Sequence, residues 1–74
     1  MQMSSQEGDS QALLDEASRE LEAAAHDARV AFDCIALGEF DRAHTSAVEA
    51  RAAIDAAVTV LQAALGMTSE AADR

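Results

Sequence analysis

The chain has 74 residues, enough for one small domain, and its single cysteine, Cys34, cannot form an internal disulfide. Fourteen acidic residues face five basic ones, which gives a net charge of −9. This charge argues against direct binding to nucleic acid or to an anionic membrane, because both require positive charge. It is compatible with a partner that has a basic surface, and equally with simple solubility.

The sequence also predicts where the protein works. A lone thiol is typical of a reducing compartment. No stretch reaches the roughly 18 uninterrupted apolar residues of a membrane span. Residues 1–10 include Glu7 and Asp9 but none of the basic residues that begin a signal peptide. We therefore expect a soluble, cytoplasmic protein with no membrane contact.

Three glycines and the absence of proline divide the chain into two helical segments. The glycines are Gly8, Gly38 and Gly66, and the segments between them are rich in alanine and other good helix formers. Gly38 is suited to the left-handed conformation just past a helix end, and Gly66 is expected to end the second helix. The fold class predicted is all-α: an antiparallel two-helix hairpin with helices at about residues 10–37 and 40–65.

The predicted domain organisation follows from these bounds. Asp9 or Ser10 is expected to cap the first helix, since either side chain accepts hydrogen bonds from first-turn amides. Residues 1–8 are predicted to be a disordered N-terminal segment, residues 9–66 the hairpin, and residues 67–74 a flexible C-terminal tail.

The segment between the helices resembles the turn of tetratricopeptide hairpins. Six residues carry the likeness, Gly38-Glu39-Phe40-Asp41-Arg42-Ala43, which fit the pattern G-x-[FY]-x-x-A. The flanking positions depart from the repeat and no second repeat follows, although such repeats are stable only in arrays. The likeness therefore implies a shared turn with its aromatic side chain packed beneath it, and not membership of the family.

A heptad pattern predicts which residues lie between the two helices. One column is alanine throughout, and the other carries larger side chains on most layers. The predicted hairpin seam consists of Leu14, Ala17, Leu21, Ala24, Ala28, Ala31 and Ile35 in the first helix, and of Phe40, Ala43, Ala47, Ala50, Ile54, Ala57, Leu61 and Ala64 in the second. Folding the chain at Glu39 places a large residue opposite a small one in nearly every layer, as close packing requires.

Apolar residues beside this seam predict a second copy of the chain. Between Ala52 and Leu65 the only polar residues are Asp55, Thr59 and Gln62, which form one narrow stripe. The predicted oligomer interface is Leu13, Phe32, Ala53, Val58, Val60 and Leu65. A homodimer in the form of a four-helix bundle is the simplest way to cover these residues.

No catalytic, metal or cofactor site is predicted. Cys34 lacks a histidine on the same helix face, so no nucleophile–base pair is evident. Asp41 and His44 have a spacing used by di-metal helical bundles, but they lie outside the predicted seam, where solvation of a helix start accounts for them. Phe32 and Phe40 are the only aromatic residues, too few for base stacking. We expect a protein that is not an enzyme.

An acidic edge on the first helix has two interpretations. Glu16, Glu20 and Asp27 are the candidate partner-binding residues in it, and Glu16 and Glu20 form a like-charge pair at i, i+4 that stability alone would not select. The edge is either a solvated outer face or a row of carboxylates that imitates a phosphate backbone before a basic groove. The sequence leaves both open.

Three functions remain at this point. The leading one is a small acidic protein-interaction module, a dimeric adaptor or regulator of an unidentified protein. The alternative is a phage- or mobile-element-encoded inhibitor of the anti-CRISPR kind, whose acidic face mimics nucleic acid. A secretion or flagellar chaperone is the third. Binding through charge weakens steeply with salt, whereas binding through an apolar surface does not, so salt dependence separates the first two.

Overall fold

The two helices pack against each other as a flat, elongated hairpin. The computed structural model describes the backbone of residues 2–73 and the side chains of residues 9–67. Helix α1 spans Gln2–Ala36 and helix α2 spans Phe40–Asp73. The molecule measures 55 × 19 × 12 Å, so the helix pair has two broad faces. The predicted all-α helical hairpin is confirmed.

Gly38 makes the turn, as predicted. Its φ of +76° is the left-handed conformation that favours glycine. The amide of Glu39 donates to the carbonyl of Cys34 at 2.8 Å and that of Gly38 to Ile35 at 3.0 Å, which is the hydrogen-bond pattern of a Schellman helix end. The carbonyl of Glu39 then accepts from Ala43 at 3.0 Å and so begins α2. Phe40 is 67% exposed, so the predicted packing of this ring beneath the turn is wrong.

Both helices are longer than the sequence predicted. Helix α1 already begins at Gln2, and α2 continues past Gly66 to Asp73. Gly66 lacks the positive φ of a helix-ending glycine and lies inside α2. An interior glycine costs a helix about 1 kcal/mol relative to alanine, which weakens the helix without ending it. The side chains of residues 1–8 and 68–74 lie outside the described residues, so the expected disorder of both termini stays a prediction.

One predicted seam column is buried between the helices. All seven of its alanines are closed off from solvent: Ala17, Ala24, Ala31, Ala43, Ala50, Ala57 and Ala64. They recur every seven residues in both helices. The one other buried side chain among the described residues belongs to Cys34. Because these side chains are small, the helices approach each other closely along this column.

The second column of the seam differs from the predicted one. The partly buried positions follow each alanine by three residues, as Glu20, Asp27, Ala53 and Val60 do. The predicted column follows each alanine by four residues, and most of its members are exposed: Leu14, Leu21, Ala28, Ile35, Phe40, Ala47 and Ile54, with Leu61 intermediate. The assignment of these residues to the interior of the hairpin is therefore wrong.

The residue pattern does not by itself identify the column that closes. Both columns satisfy the alternating three- and four-residue spacing of a heptad, so spacing alone does not choose between them. The column that closes has small residues at Cys34, Ser46 and Ala53, but it also contains larger ones, Leu13, Glu20, Asp27 and Val60. The exposed column likewise mixes large residues with Ala28 and Ala47, so side-chain size does not separate the two columns either.

Length and composition also make part of α2 a candidate membrane span. Within Phe40–Met67, an 18-residue stretch reaches a mean hydropathy of 1.2, and 17% of that stretch is buried in the hairpin. Arg51 and Asp55 lie in the middle of this segment, and a charge at the bilayer centre costs about 2.5–3.5 kcal/mol or more. Helix α1, which packs along the segment, carries many more charges. A helix with one wide apolar surface for protein contacts meets the same length and composition criteria.

Candidate functional site

The residues that were predicted for the interior form a continuous apolar face. We define the apolar face as Leu14, Leu21, Ala28 and Ile35 of α1 with Phe40, Ala47, Ile54 and Leu61 of α2. Each of these residues has the same offset from the nearest buried alanine in its own helix. In an antiparallel pair, equal offsets place both stripes on the same broad side of the hairpin. The two stripes therefore form an apolar face on one broad side of the hairpin, and the polar residues Ser18, His44 and Arg51 lie beside it.

The apolar face continues at its rim, where Phe32, Val58 and Leu65 stand one helical step further from the partner helix. Eight large apolar residues of the face and rim are between 41% and 67% exposed: Leu14, Leu21, Phe32, Ile35, Phe40, Ile54, Val58 and Leu65. Side chains of this size correspond to about 800 Å² of exposed apolar residue surface in total. The largest apolar patch on a typical monomer is roughly 300–600 Å². This face is therefore larger than a soluble monomer usually exposes.

Half of the predicted oligomer interface lies on this surface. Phe32, Val58 and Leu65 are exposed at its rim. Leu13, Ala53 and Val60 are instead partly buried in the second column of the hairpin seam. The prediction placed the bulkier column inside the hairpin and the neighbouring column outside it. The structure has the reverse arrangement. The surface available to another chain thus contains larger side chains than the sequence indicated.

An arginine partly covers the rim at Phe32. The Arg29 Cζ atom lies 5.4 Å from the centroid of the Phe32 ring, within cation–π distance. The Arg29 Nε atom also lies 3.5 Å from Oδ1 of Asp33, an exposed ion pair of small energetic value. Phe32 remains 64% exposed despite this contact. The ring is therefore available to another chain once the guanidinium moves aside.

The acidic edge lies on the other side of α1. Glu16 is exposed, whereas Glu20 and Asp27 are partly buried because they belong to the second seam column. Glu20 and Asp27 therefore lie at the hairpin seam and not on a fully solvated outer face. Among the described residues, the two ion pairs are Arg29–Asp33 and Arg42–Glu39, so these three carboxylates have no basic partner. Their charge is available for attraction to a positive surface.

The described side chains offer little for catalysis. Within residues 9–67, no group of three or more His, Cys, Asp or Glu is placed to hold a metal ion. The Cys34 thiol is buried between the helices. A shallow depression near the turn, lined by Asp41, Arg42, Thr45 and Ser46, is open to solvent. The apolar face is therefore the candidate site for contact with another chain.

Comparison with known proteins does not assign the chain to a family. No protein-family model matches the chain, and no curated protein or solved structure shows significant similarity to it. The function must therefore be inferred from the two surfaces of the hairpin, the apolar face and the acidic edge.

Proposed function

We propose that this protein is a non-enzymatic protein-interaction module of the cytoplasm, which dimerises into a four-helix bundle and acts as an adaptor or regulator of a protein partner. The exposed apolar face carries this proposal. A buried alanine methyl contributes about 0.8 kcal/mol, whereas full burial of a leucine, isoleucine or phenylalanine contributes about 1.5–3 kcal/mol. Among the described residues, the side chains that the hairpin buries are those of alanines and Cys34, so its larger apolar side chains remain available for contact with another chain.

The first prediction concerns the mass of the protein in solution. We expect sedimentation equilibrium at about 10 µM to give twice the chain mass of 7.7 kDa, since the apolar face has the area of a standard protein interface. The measurement should be repeated at 0.1 and 1 M salt, because association through an apolar face is insensitive to screening. A folded monomer at both salt concentrations would contradict the dimer.

The same measurement addresses the chaperone alternative. A secretion or flagellar chaperone would use the apolar face to hold an amphipathic helix of its client. Such a chaperone leaves the face open when no client is present, and it would sediment as a single folded chain. A dimer in the absence of any client therefore favours the adaptor over the chaperone.

The acidic edge supports the alternative of a nucleic-acid-mimicking inhibitor. Glu16, Glu20 and Asp27 take part in neither ion pair of the described residues, so three carboxylates on one side of α1 are free to face a basic groove. An anti-CRISPR-like inhibitor would use such a row in place of phosphates. Two of the three carboxylates are partly buried in the seam, however, which makes the row shorter than the sequence indicated.

Neutralising the acidic edge separates the two functions. The variant combines Glu16→Gln, Glu20→Gln and Asp27→Asn, which removes three charges and keeps side-chain size. Its matched control combines Glu22→Gln, Asp41→Asn and Asp55→Asn, which removes three exposed charges elsewhere. We expect both variants to bind the protein that the wild-type chain captures from its own cells within about threefold of wild type, because screened surface charges contribute little.

The contrary result has a specific form. If the chain mimics a phosphate backbone, the acidic-edge variant should lose affinity by orders of magnitude and lose its salt dependence, while the control keeps both. Isothermal titration at two salt concentrations measures both quantities. Circular dichroism of each variant verifies that the helices remain formed.

A further inference from the structure

We propose that a second copy of this chain covers the apolar face, with the two turns at opposite ends of the resulting four-helix bundle. This proposal rests on the proposed function, since it specifies how the dimer is built. It also assigns the apolar face to self-association, which leaves the acidic edge of each copy on the outer surface for the protein partner.

The order of side chains along the apolar face is the first step. On either side of the turn, the stripes of the apolar face begin at Ile35 in α1 and at Phe40 in α2. Equal distances from the turn then place α1 and α2 residues side by side in four layers. From the turn outwards these layers are Ile35 with Phe40, Ala28 with Ala47, Leu21 with Ile54, and Leu14 with Leu61.

The layer of Ala28 and Ala47 distinguishes the two ways of stacking two copies. If both turns lie at the same end, each layer packs against the equivalent layer of the other copy. The Ala28 and Ala47 side chains of both copies then face one another between layers of large side chains. Such a layer leaves an unfilled space, which destabilises a core. If the turns lie at opposite ends, the alanine layer of one copy receives Leu21 and Ile54 of the other.

The opposite-ended arrangement also matches the remaining layers. Leu14 and Leu61 of one copy then meet Ile35 and Phe40 of the other. Each stripe fits against a copy of itself that runs in the opposite direction. A two-fold symmetric interface requires this fit because the same patch serves both copies. Large side chains facing small ones is the arrangement that fills a core to native density.

The size of the face is the reason for choosing a second copy over another occupant. About 800 Å² of exposed apolar residue surface per copy equals the area that one partner contributes to a standard protein interface. The face runs from Leu14 to Ile35 on α1 and from Phe40 to Leu61 on α2, so the same face of a second hairpin matches it in length and covers both stripes. Arg51 lies at the rim, and in this arrangement the two Arg51 residues of the dimer stand near each other, so their aliphatic stems must extend along the interface while both guanidinium groups turn outwards to solvent.

Disulfide cross-linking tests the arrangement. With turns at opposite ends, α1 lies beside α1 of the other copy, and the two-fold axis passes close to Ala25 on one side and Arg51 on the other. Cysteines near such an axis approach the Cβ separation of about 4 Å that a disulfide needs. With turns at the same end, α1 lies beside α2 of the other copy, and Ala25 comes close to Arg51 instead.

The variants are Ala25→Cys and Arg51→Cys, each combined with Cys34→Ser so that the new thiol is the only one. Both positions are exposed, so each hairpin should fold. Matched controls are Glu22→Cys and Asp55→Cys, on the outer sides of α1 and α2, in the same background. After mild oxidation at about 10 µM, we expect more than half of each single variant to run as a linked dimer on a non-reducing gel, and the controls to stay largely unlinked.

Other outcomes would overturn the proposal in distinguishable ways. If neither single variant links to itself and a mixture of the two gives the heterodimer, the turns lie at the same end; the arrangement is wrong and the proposed function stands. If wild-type protein sediments as a folded monomer and no variant links, the self-association in the proposed function is wrong as well. If the controls link as readily as the variants, the contact is not on the apolar face, and the proposal is wrong.

Discussion

Leu21→Glu should convert the dimer into folded monomers. Leu21 is 45% exposed in the hairpin, so a glutamate there costs the isolated fold little. In the dimer the same carboxylate would lie against the alanine layer of the other copy, and it would do so twice because the interface is symmetric. Burial of an unpaired charge costs several kcal/mol, which corresponds to more than a thousandfold weaker association. Sedimentation equilibrium at about 10 µM should give one chain mass.

Val48→Glu is the matched control for this change. Val48 is a comparable apolar residue, 39% exposed, on the outer side of α2 and away from the apolar face. It receives the same added charge, and we expect this variant to remain a dimer with the helicity of wild type. A Leu21→Glu protein that still sediments as a dimer would show that the apolar face is not the interface. Dissociation of both variants would point to a general effect of charge.

The architecture could be predicted from sequence because its signals are local. Gly38 ends α1 in the conformation that only glycine adopts easily, and the absence of proline leaves two uninterrupted helices. An alanine every seven residues, as at Ala17, Ala24 and Ala31, marks the line of closest approach whatever surrounds it. These features depend on the chain itself, so they appear in the sequence.

The position of the second seam column could not be predicted in the same way. Residues three and four places after an alanine both fit a heptad, as Glu20 and Leu21 both follow Ala17. Hydrophobicity favours Leu21 for the interior, and the prediction followed hydrophobicity. In the structure the helices close on the column of Glu20, and the column of Leu21 faces outwards. Because both columns fit the heptad spacing, and the more hydrophobic one is the one left exposed, neither spacing nor hydrophobicity identifies the column that closes.

The helix ends were missed for a related reason. Gly66 was read as a terminator because glycine often follows a helix. A glycine ends a helix only where the chain takes the left-handed conformation, and Gly66 does not. Composition identifies the residue that is able to end a helix, whereas the backbone conformation decides whether it does.

The second large effect is expected from a substitution in the alanine column, where the two helices lie closest together. Ala57 is 1% exposed, so its methyl group is enclosed where α2 packs against α1. A leucine adds three methylene-sized groups to this position. The helices must then separate or adopt strained side-chain rotamers, and overpacking of this kind typically costs about 1–3 kcal/mol. Helix propensity does not contribute appreciably, since leucine is nearly as good a helix former as alanine.

Ala57→Leu should therefore lower the melting temperature, and Ala52→Leu should not. Ala52 lies in the same helix but is exposed, so the same substitution meets solvent instead of α1. For a domain of this size a loss of 1 kcal/mol lowers Tm by about 4–8 °C. Circular dichroism melts should be recorded at one chain concentration, because the stability of a dimer depends on concentration. If Ala57→Leu melts at or above the wild-type temperature, the alanine column is not the line of closest approach, and the helices pack in a different register from the one in this structure.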